Sequence, residues 1–328
     1  MALIGSLDSG ISALTNFSKG LSVISDNIAN VNTVGFKGST TDYADNFSDV
    51  LQHSAPAADG SNASNTTATQ IGLGMHIGSV RGNFSEGTLD STGVPTDMAI
   101  TGAGYFTVRD PQSGGNFVTR AGDFRLDDTG NIVTQGGLRL EGLSGGKISF
   151  SASSVNGQLV YTPTKTPPAG VGDLKVGYDV SVGNGLTNDT GGDFTDAQVA
   201  AGAPRMSSYA IGKDGNVNIY LSNGDSFSAG QVLLQNFRDP NALIREGNNL
   251  YSSQDAAGPI GGKTLTAANN TPGTNGLGGT QSGSLELSNV DLTKEFSNLI
   301  TTQRSFQAAS RIVTVSDSVL EEIVNLKH

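Results

Sequence analysis

The chain has 328 residues, of which 45 are glycine and none is cysteine, and its formal net charge is −11. The absence of cysteine excludes disulfides, thiolate metal sites and cysteine nucleophiles. The negative charge and the scattered basic residues argue against a nucleic-acid surface and against binding to an anionic membrane. The many glycines, with few aromatic and charged residues, predict a β-rich protein with tight turns.

The first thirty residues carry the pattern of an amphipathic helix. Leu7, Leu14 and Leu21 are seven positions apart, and further apolar residues fill the turns between them. A seven-residue apolar repeat is typical of a helix that packs along a second helix. The residues expected in this seam are Leu7, Ile11, Leu14, Leu21, Ile24 and Ile28.

The N-terminal helix is expected to end near Asn30. The segment at positions 27–37 is Asn-Ile-Ala-Asn-Val-Asn-Thr-Val-Gly-Phe-Lys. Because Asn and Gly tolerate the left-handed backbone conformation, this composition predicts a helix end and a turn into extended chain. Positions 54–70 are mostly small and polar residues, which predict a loop or a mobile arm.

The middle of the chain has the two-residue period of β-strands. This period runs from about position 70 to 140 and returns at 206–254, with turn sequences between the strands. Between these two blocks, positions 143–205 combine prolines with many glycines and predict a small outer insertion. Positions 258–283 are rich in glycine and predict a return path to the C-terminal helix.

The C-terminal residues predict a second, longer helix. Neither proline nor glycine interrupts positions 284–328, and apolar residues again recur every seven positions from Leu285. The simplest packing is an antiparallel pair with the N-terminal helix. The alternative is two unrelated amphipathic helices that each cover a separate β domain. The seam residues expected on this helix are Leu292, Phe296, Leu299, Phe306, Val313 and Leu320.

The sequence contains no pattern that indicates catalysis, a cofactor or a metal ion. The segment Gly102-Ala103-Gly104 lacks the third glycine of a dinucleotide-binding loop. Asp123, Asp127 and Asp128 do not have the spacing of a calcium-binding loop. The three histidines lie far apart, and no Ser, His and Asp residues form a nucleophile motif. We therefore predict a protein that is not an enzyme and has no cofactor.

Several segments resemble one protein family, in order along the chain. After the segment at 27–37 come Gly-Tyr-Phe-Thr-Val at 104–108, Thr-Arg-Ala-Gly-Asp-Phe at 119–124 and Asp-Thr-Gly-Asn-Ile-Val at 128–133. The C-terminal half adds Gly-Asn-Asn-Leu-Tyr at 247–251, Gly-Ser-Leu-Glu-Leu-Ser-Asn-Val-Asp-Leu at 283–292 and Gln-Arg-Ser-Phe-Gln-Ala-Ala-Ser at 303–310. These segments are similar to those of the bacterial flagellar rod and hook axial proteins.

The resemblance and the patterns together imply an α+β fold. It has paired, coiled-coil-like terminal helices, a β-rich middle domain and a small outer insertion. The expected segments are a helical terminal domain of 1–33 with 285–328, an extended linker arm at 34–70, a β domain of 71–142 with 206–257, the insertion at 143–205 and a glycine-rich linker at 258–284.

The function that the resemblance implies is that of a structural subunit of the hollow, flexible flagellar hook. The ending at positions 324–327 favours the hook, whereas the polar stretch at 54–70 is closer to the distal rod, which is the alternative. A secreted β-rich adhesin is a third interpretation, from another class, but it gives the paired helices no purpose.

The implied partners are other copies of the chain, the rod, hook-cap and hook–filament junction proteins, and the flagellar type III export apparatus. No nucleic acid and no membrane insertion are expected. Residues 1–13 lack the features of a secretory signal peptide, so the expected route is export to the extracellular hook or basal body without a cleaved signal. In the resembling family, a phenylalanine followed four residues later by an apolar residue serves the export gate, and Phe47 and Leu51 have that spacing.

Overall fold

The computed structural model describes residues 2–55, 65–155, 158–176, 186–188 and 206–326. The chain divides into two compact units. Unit 1 consists of Met1–Val31, Lys37–Asn83 and Val290–His328, and unit 2 of Asn32–Phe36 and Phe84–Asn289. Helices at the two ends of the chain and many strands between them confirm the mixed α and β class that the sequence predicts.

Two long antiparallel helices form most of unit 1. Helix α1 is Ala2–Ala29, and helix α4 is Leu292–Asn325. Contacts at both ends of α1 establish their direction. The hydroxyl oxygens of Ser6 and Ser316 are 3.3 Å apart. Near the other end, Asn27 Nδ2 donates to Glu295 Oε2 over 3.3 Å.

Helix α4 begins seven residues later than the sequence pattern indicates. The carboxylate of Asp291 accepts hydrogen bonds from the backbone N–H groups of Thr293 and Lys294, and so caps the first turn. The preceding segment Ser284–Glu286 is a strand that pairs with Leu89–Ser91. Leu285 therefore belongs to a sheet and is not the start of the helical repeat.

Four strands accompany the helices of unit 1. Strand β1 (Ser39–Asp45) pairs with β4 (Met75–Gly82), and β2 (Ser48–Gln52) pairs with β3 (Thr69–Gly72), both antiparallel. The segment expected as an extended linker arm at 34–70 thus contains β1, β2 and the first residues of β3. Asn16 of α1 donates to the carbonyl of Met75 over 2.8 Å, which fastens the helix to β4.

Unit 2 is built from the remaining strands. Its largest sheet has thirteen strands, with the central order β16-β17-β18-β11-β7-β8-β21-β20. The other sheets are β13-β12-β15, β23-β6 and β24-β5. The first half of unit 2 contains β5 (Leu89–Ser91), β6 (Met98–Thr101), β7 (Tyr105–Arg109), β8 (Asn116–Thr119), β9 (Arg125–Leu126), β10 (Ile132–Val133), β11 (Arg139–Ser144), β12 (Lys147–Val155), β13 (Gln158–Thr166), β14 (Gly170–Asp173) and β15 (Leu186–Asn188).

The second half of unit 2 adds nine strands and three short helices. The helices are a 3₁₀ turn (Pro240–Ala242), α2 (Gln254–Ala257) and α3 (Ala267–Asn270). The strands are β16 (Met206–Ile211), β17 (Asn216–Leu221), β18 (Ser226–Val232), β19 (Leu234–Phe237), β20 (Ile244–Gly247), β21 (Leu250–Ser252), β22 (Pro259–Ile260), β23 (Gly279–Ser282) and β24 (Ser284–Glu286).

The core of unit 2 includes residues from the segment that the sequence suggests is an outer insertion. Leu174 and Val176 are buried beside Phe106 and Leu140 in the main cluster. In a second cluster, Ile148 and Phe150 of β12 are buried against β17 and β18. These residues are buried because of long-range strand pairing. Strand β14 hydrogen-bonds to β11, and this pairing places the apolar residues that follow β14 in the core. Part of 143–205 is therefore core rather than surface excursion.

Candidate assembly surface

The face of α4 that packs along α1 combines small and polar residues with partly buried apolar residues. Its buried members are Glu295, Ala309 and Ser316, and Thr302, partly buried, completes the seven-residue spacing. This row lies three residues along the helix from the leucine-rich row that the sequence suggests for the seam. Of the expected seam residues, Leu292 and Phe296 are exposed, whereas Leu299, Phe306, Val313 and Leu320 are partly buried.

Two glycines of helix α1 allow close packing, Gly10 against α4 and Gly20 against β1. A Cβ at Gly10 would lie 2.8 Å from Val313 Cγ2, so only glycine permits the observed approach of the two helices. Gly20 is also buried, and a Cβ there would collide with the hydroxyl of Tyr43. Of the expected seam residues on α1, Ile11 is exposed, and those that are partly buried are Leu7, Leu14, Leu21, Ile24 and Ile28.

A polar contact joins both helices to the first strand of unit 1. The Asn27 side chain donates to the Ser39 carbonyl over 2.7 Å and accepts from the Ser39 N–H over 2.9 Å. The same amide nitrogen reaches Glu295 of α4. A buried polar contact of this kind disfavours any sliding of the helices that would leave it unpaired. The apolar pattern of the sequence does not point to these residues, although Asn27, between Ile24 and Ile28, interrupts the apolar stripe.

The face of α4 that points away from α1 exposes large apolar side chains. Phe296, Ile300 and Val315 are about half or more exposed. With helical spacing they share one face with Arg304 and Arg311, which are also exposed. We name these five residues the α4 outer face. Apolar side chains gathered on a surface in this way mark sites of protein–protein contact.

The two residues of the expected export motif are fully accessible. Phe47 precedes β2 and is 93% exposed, and Leu51 lies within β2 and is 62% exposed. The motif stays a prediction.

Three of the segments that carry the family resemblance meet in unit 2. Asn249 Nδ2 donates to the Val34 carbonyl over 2.6 Å, and the Thr119 hydroxyl donates to the Asn249 carbonyl over 2.9 Å. Gly35 has a φ of +69°, and a Cβ there would lie 2.6 Å from the backbone nitrogen of Ala121. These contacts explain why the segments need asparagine and glycine at these positions.

A pocket of about 540 Å³ lies beside this junction, and its lining mixes Thr, Asn and Gln with apolar residues such as Val34, Leu138 and Leu250. Asp123 is the acidic residue in its lining. Burial raises the pKa of Asp123, and the neighbouring Asp97 carboxylate raises it further. Within the described residues, no three His, Asp or Glu side chains are grouped to hold a metal ion. In the same part of the chain, no helix is long and apolar enough to cross a membrane.

Comparisons with known proteins agree with this arrangement. Family models described as "Flagella basal body rod protein", "Flagellar hook protein FlgE/F/G D1 domain" and "Flagellar basal body rod FlgEFG protein C-terminal" match residues 7–37, 99–219 and 281–326. The first and third matches fall largely on α1 and α4.

Curated relatives match over nearly the whole chain. The flagellar basal-body rod protein FlgG of Bacillus subtilis is 37% identical and aligns with 99% of this chain and 100% of its own length. The flagellar hook proteins FlgE of Borreliella burgdorferi and Escherichia coli are 25% and 26% identical, over 99% and 97% of this chain and 100% and 98% of their own length. This chain therefore belongs to the family of flagellar rod and hook proteins.

Proposed function

We propose that this chain is the repeating subunit of the flagellar hook, a hollow tube that forms by self-assembly and transmits torque from rod to filament. A structural role in the rod or the hook follows from the family. Hook proteins of two bacteria support the hook assignment, because they align with this chain along almost their whole length.

The observation that carries the assembly mechanism is the α4 outer face. Phe296, Ile300 and Val315 remain exposed in the single chain, although their helix is already packed against α1. Contact with neighbouring copies would remove this surface from water, at about 25 cal/mol per Å² of apolar area. Part of this gain is lost to the entropy of ordering on association. We infer that terminal helices of neighbouring copies pack into a coiled-coil-like bundle.

The distal rod is the second candidate. It is favoured by the 37% identity with a rod protein, against 25% and 26% with the two hook proteins. Rod and hook subunits would share the helix bundle, so the two functions differ in the bending of the tube and not in the way it assembles.

Electron microscopy of the purified chain after concentration tests both candidates. Tubes whose curvature changes with salt and pH are expected for a hook subunit. Tubes that stay straight under every condition would instead support the rod. If no tubes form from folded protein at any concentration, both candidates fail and the adhesin interpretation becomes the one to examine.

The segment boundaries and the wider set of partners remain part of this proposal. Partners at the two ends of a hook would be the rod and the hook–filament junction proteins, with a cap protein during growth. Phe47 and Leu51 are candidates for contact with the export apparatus. Because the family is structural, we also propose that the chain has no enzymatic activity.

A further inference from the structure

The β2–β3 pair in unit 1 has one apolar face. Asp49 is directly opposite Ile71, so their side chains lie on the same side of the sheet. Side chains alternate along a strand, so Phe47 and Leu73, each two residues from this pair, lie on that side as well. A bulge after Val50 leaves Leu51 without a partner across the ladder, two positions from Asp49. We name this set the arm face: Phe47, Asp49, Leu51, Ile71 and Leu73.

Nothing within the described chain covers the arm face. Its four apolar residues are 93%, 62%, 52% and 44% exposed, for Phe47, Leu51, Ile71 and Leu73 respectively. Every residue of β2 and β3 is exposed. A two-stranded sheet in water is marginally stable by itself and needs a packed apolar face. The arm face therefore requires a partner.

The N-terminal part of the α4 outer face matches the arm face in charge and in length. The arm face carries one carboxylate, Asp49, among apolar residues, and the α4 outer face carries Arg304 and Arg311 among apolar residues. Among the described residues, none of these three charged groups forms an ion pair. Five residues of strand span about 17 Å, which equals about eleven residues of helix. That length of α4, from Phe296 to Gln307, contains Phe296, Ile300 and Arg304 of the outer face but neither Arg311 nor Val315.

We propose that in the assembled tube the arm face of one copy packs on the N-terminal part of the α4 outer face of a second copy, with Asp49 beside Arg304, while Val315 at the other end of that face remains for the packing of neighbouring terminal helices. The two faces do not cover one another within a single copy, because the apolar residues of both remain exposed there. Two different surfaces of the same chain then meet, which is a heterologous contact and generates a helical polymer. This inference deepens the proposed function and rests on the chain forming tubes.

A charge exchange in the full-length chain tests the contact. Asp49→Arg and Arg304→Asp should each raise the concentration needed for half-maximal assembly, by about fivefold or more, because each variant places like charges together. The chain with both substitutions should return to within about twofold of the unmodified protein. Asp128→Arg, at an exposed turn of unit 2, is the matched control and should change assembly by less than twofold. Equal and additive losses without recovery would overturn the proposed pairing.

Disulfide trapping gives a second test that does not depend on charge. The chain has no cysteine, so a disulfide can form only between introduced residues. Tagged Leu51→Cys protein is mixed with untagged Ile300→Cys protein and mildly oxidised. Under assembling conditions, and only then, the mixture should give a cross-linked dimer that contains one copy of each variant. Tyr220→Cys, at an exposed position of unit 2, replaces Ile300→Cys in the control mixture.

The two outcomes separate this inference from the function on which it rests. Cross-linking to position 300 that does not exceed cross-linking to position 220, in preparations that do form tubes, would refute the docking and leave the hook assignment intact. If the unmodified chain forms no tubes at all, it is the proposed function that fails.

Discussion

At the scale of single residues, the buried ion pair of unit 2 is the contact that depends most strongly on the presence of both partners. Arg120 Nη1 lies 3.2 Å from Glu286 Oε2, and both side chains are almost completely buried. Arg120 also donates to the Gly102 carbonyl over 2.7 Å and lies over the Tyr105 ring. Glu286 accepts a further hydrogen bond from the Gly87 N–H. The ion pair therefore ties the segment after β8 to β24, and the hydrogen bond from Gly87 adds the loop before β5.

Removing one member of this pair should be costly. Arg120→Met leaves the Glu286 carboxylate buried without its cation, and we expect the free energy of unfolding to fall by about 3 kcal/mol. Urea denaturation followed by circular dichroism would measure the change. Arg125→Met, at an exposed position, is the control and should change stability by less than about 0.5 kcal/mol. Similar values for the two variants would show that the buried pair contributes nothing specific.

Asp123 predicts a particular pH dependence. Its pKa in the folded protein lies above the ordinary 3.8, so ionisation of this carboxyl opposes folding. At a pH below 3.8 the group is protonated in both states and contributes no difference. As the pH rises from there through the folded pKa, the unmodified protein loses stability relative to an Asp123→Asn variant.

Thermal unfolding between pH 3 and pH 7 should therefore show the Asp123→Asn variant gaining stability over the unmodified chain towards neutral pH. A gap of constant size across the range would refute the assigned cause.

At the scale of elements, the two rows of α4 should respond differently to a charge. Leu299→Asp places a carboxylate beside the seam with α1, which costs several kcal/mol because the group is partly removed from water. We expect lower helix content in the single chain and loss of assembly. Val315→Asp, on the α4 outer face, should retain the helix content and weaken only assembly.

Circular dichroism at low concentration and light scattering at high concentration would separate these two effects. Loss of helix content in both variants would mean that the α4 outer face contributes to folding of the single chain. Normal tubes from the Leu299→Asp variant would exclude this seam from the assembly.

The sequence predicted the existence of both helices because a seven-residue repeat is a local signal. It named one row of α4 and overlooked a second: Val313 of the expected row lies against Gly10, and the more buried Ala309 and Ser316 belong to the row that was overlooked. The small side chains of Ala309 and Ser316 suit a close approach of the two helices. The later helix start was readable in principle, since Asp291 is a preferred capping residue immediately before the first turn. The apolar repeat from Leu285 outweighed that signal.

At the scale of the whole molecule, the sequence could not assign the segment at 143–205 correctly. Local composition indicates a surface excursion, but the burial of Leu174 depends on pairing between Asp173 and Glu141, which are 32 positions apart. Long-range strand pairing leaves no local trace in composition. The same limit explains why the pairing of β1 with β4 was not foreseen.

This placement changes what a deletion should do. Replacing residues 150–200 with a short Gly/Ser linker removes Phe150, Leu174 and Val176 from two buried clusters. We therefore expect unit 2 to lose its fold, with loss of the near-ultraviolet signal of its tyrosines and of strand content. A folded deletion variant that forms tubes would show that these clusters are dispensable.

Two point variants test the same prediction with smaller changes. Leu174→Ala should lower the free energy of unfolding by about 3 kcal/mol, because Leu174 is buried, whereas Val171→Ala at an exposed position of β14 should cost less than about 1 kcal/mol.

The small residues between α1 and α4 have a consequence for the kinetics of growth. The packing of α1 on α4 at Gly10, Ala309 and Ser316 leaves Phe296, Ile300 and Val315 of α4 exposed, so this apolar surface is available for contact with neighbouring copies. The first few copies to associate lose translational and rotational entropy. At that stage each copy has too few neighbours for the new contacts to offset this loss. Tubes should therefore start from a rare nucleus, with a lag and a critical concentration, and elongate readily once a finished end is available as a template.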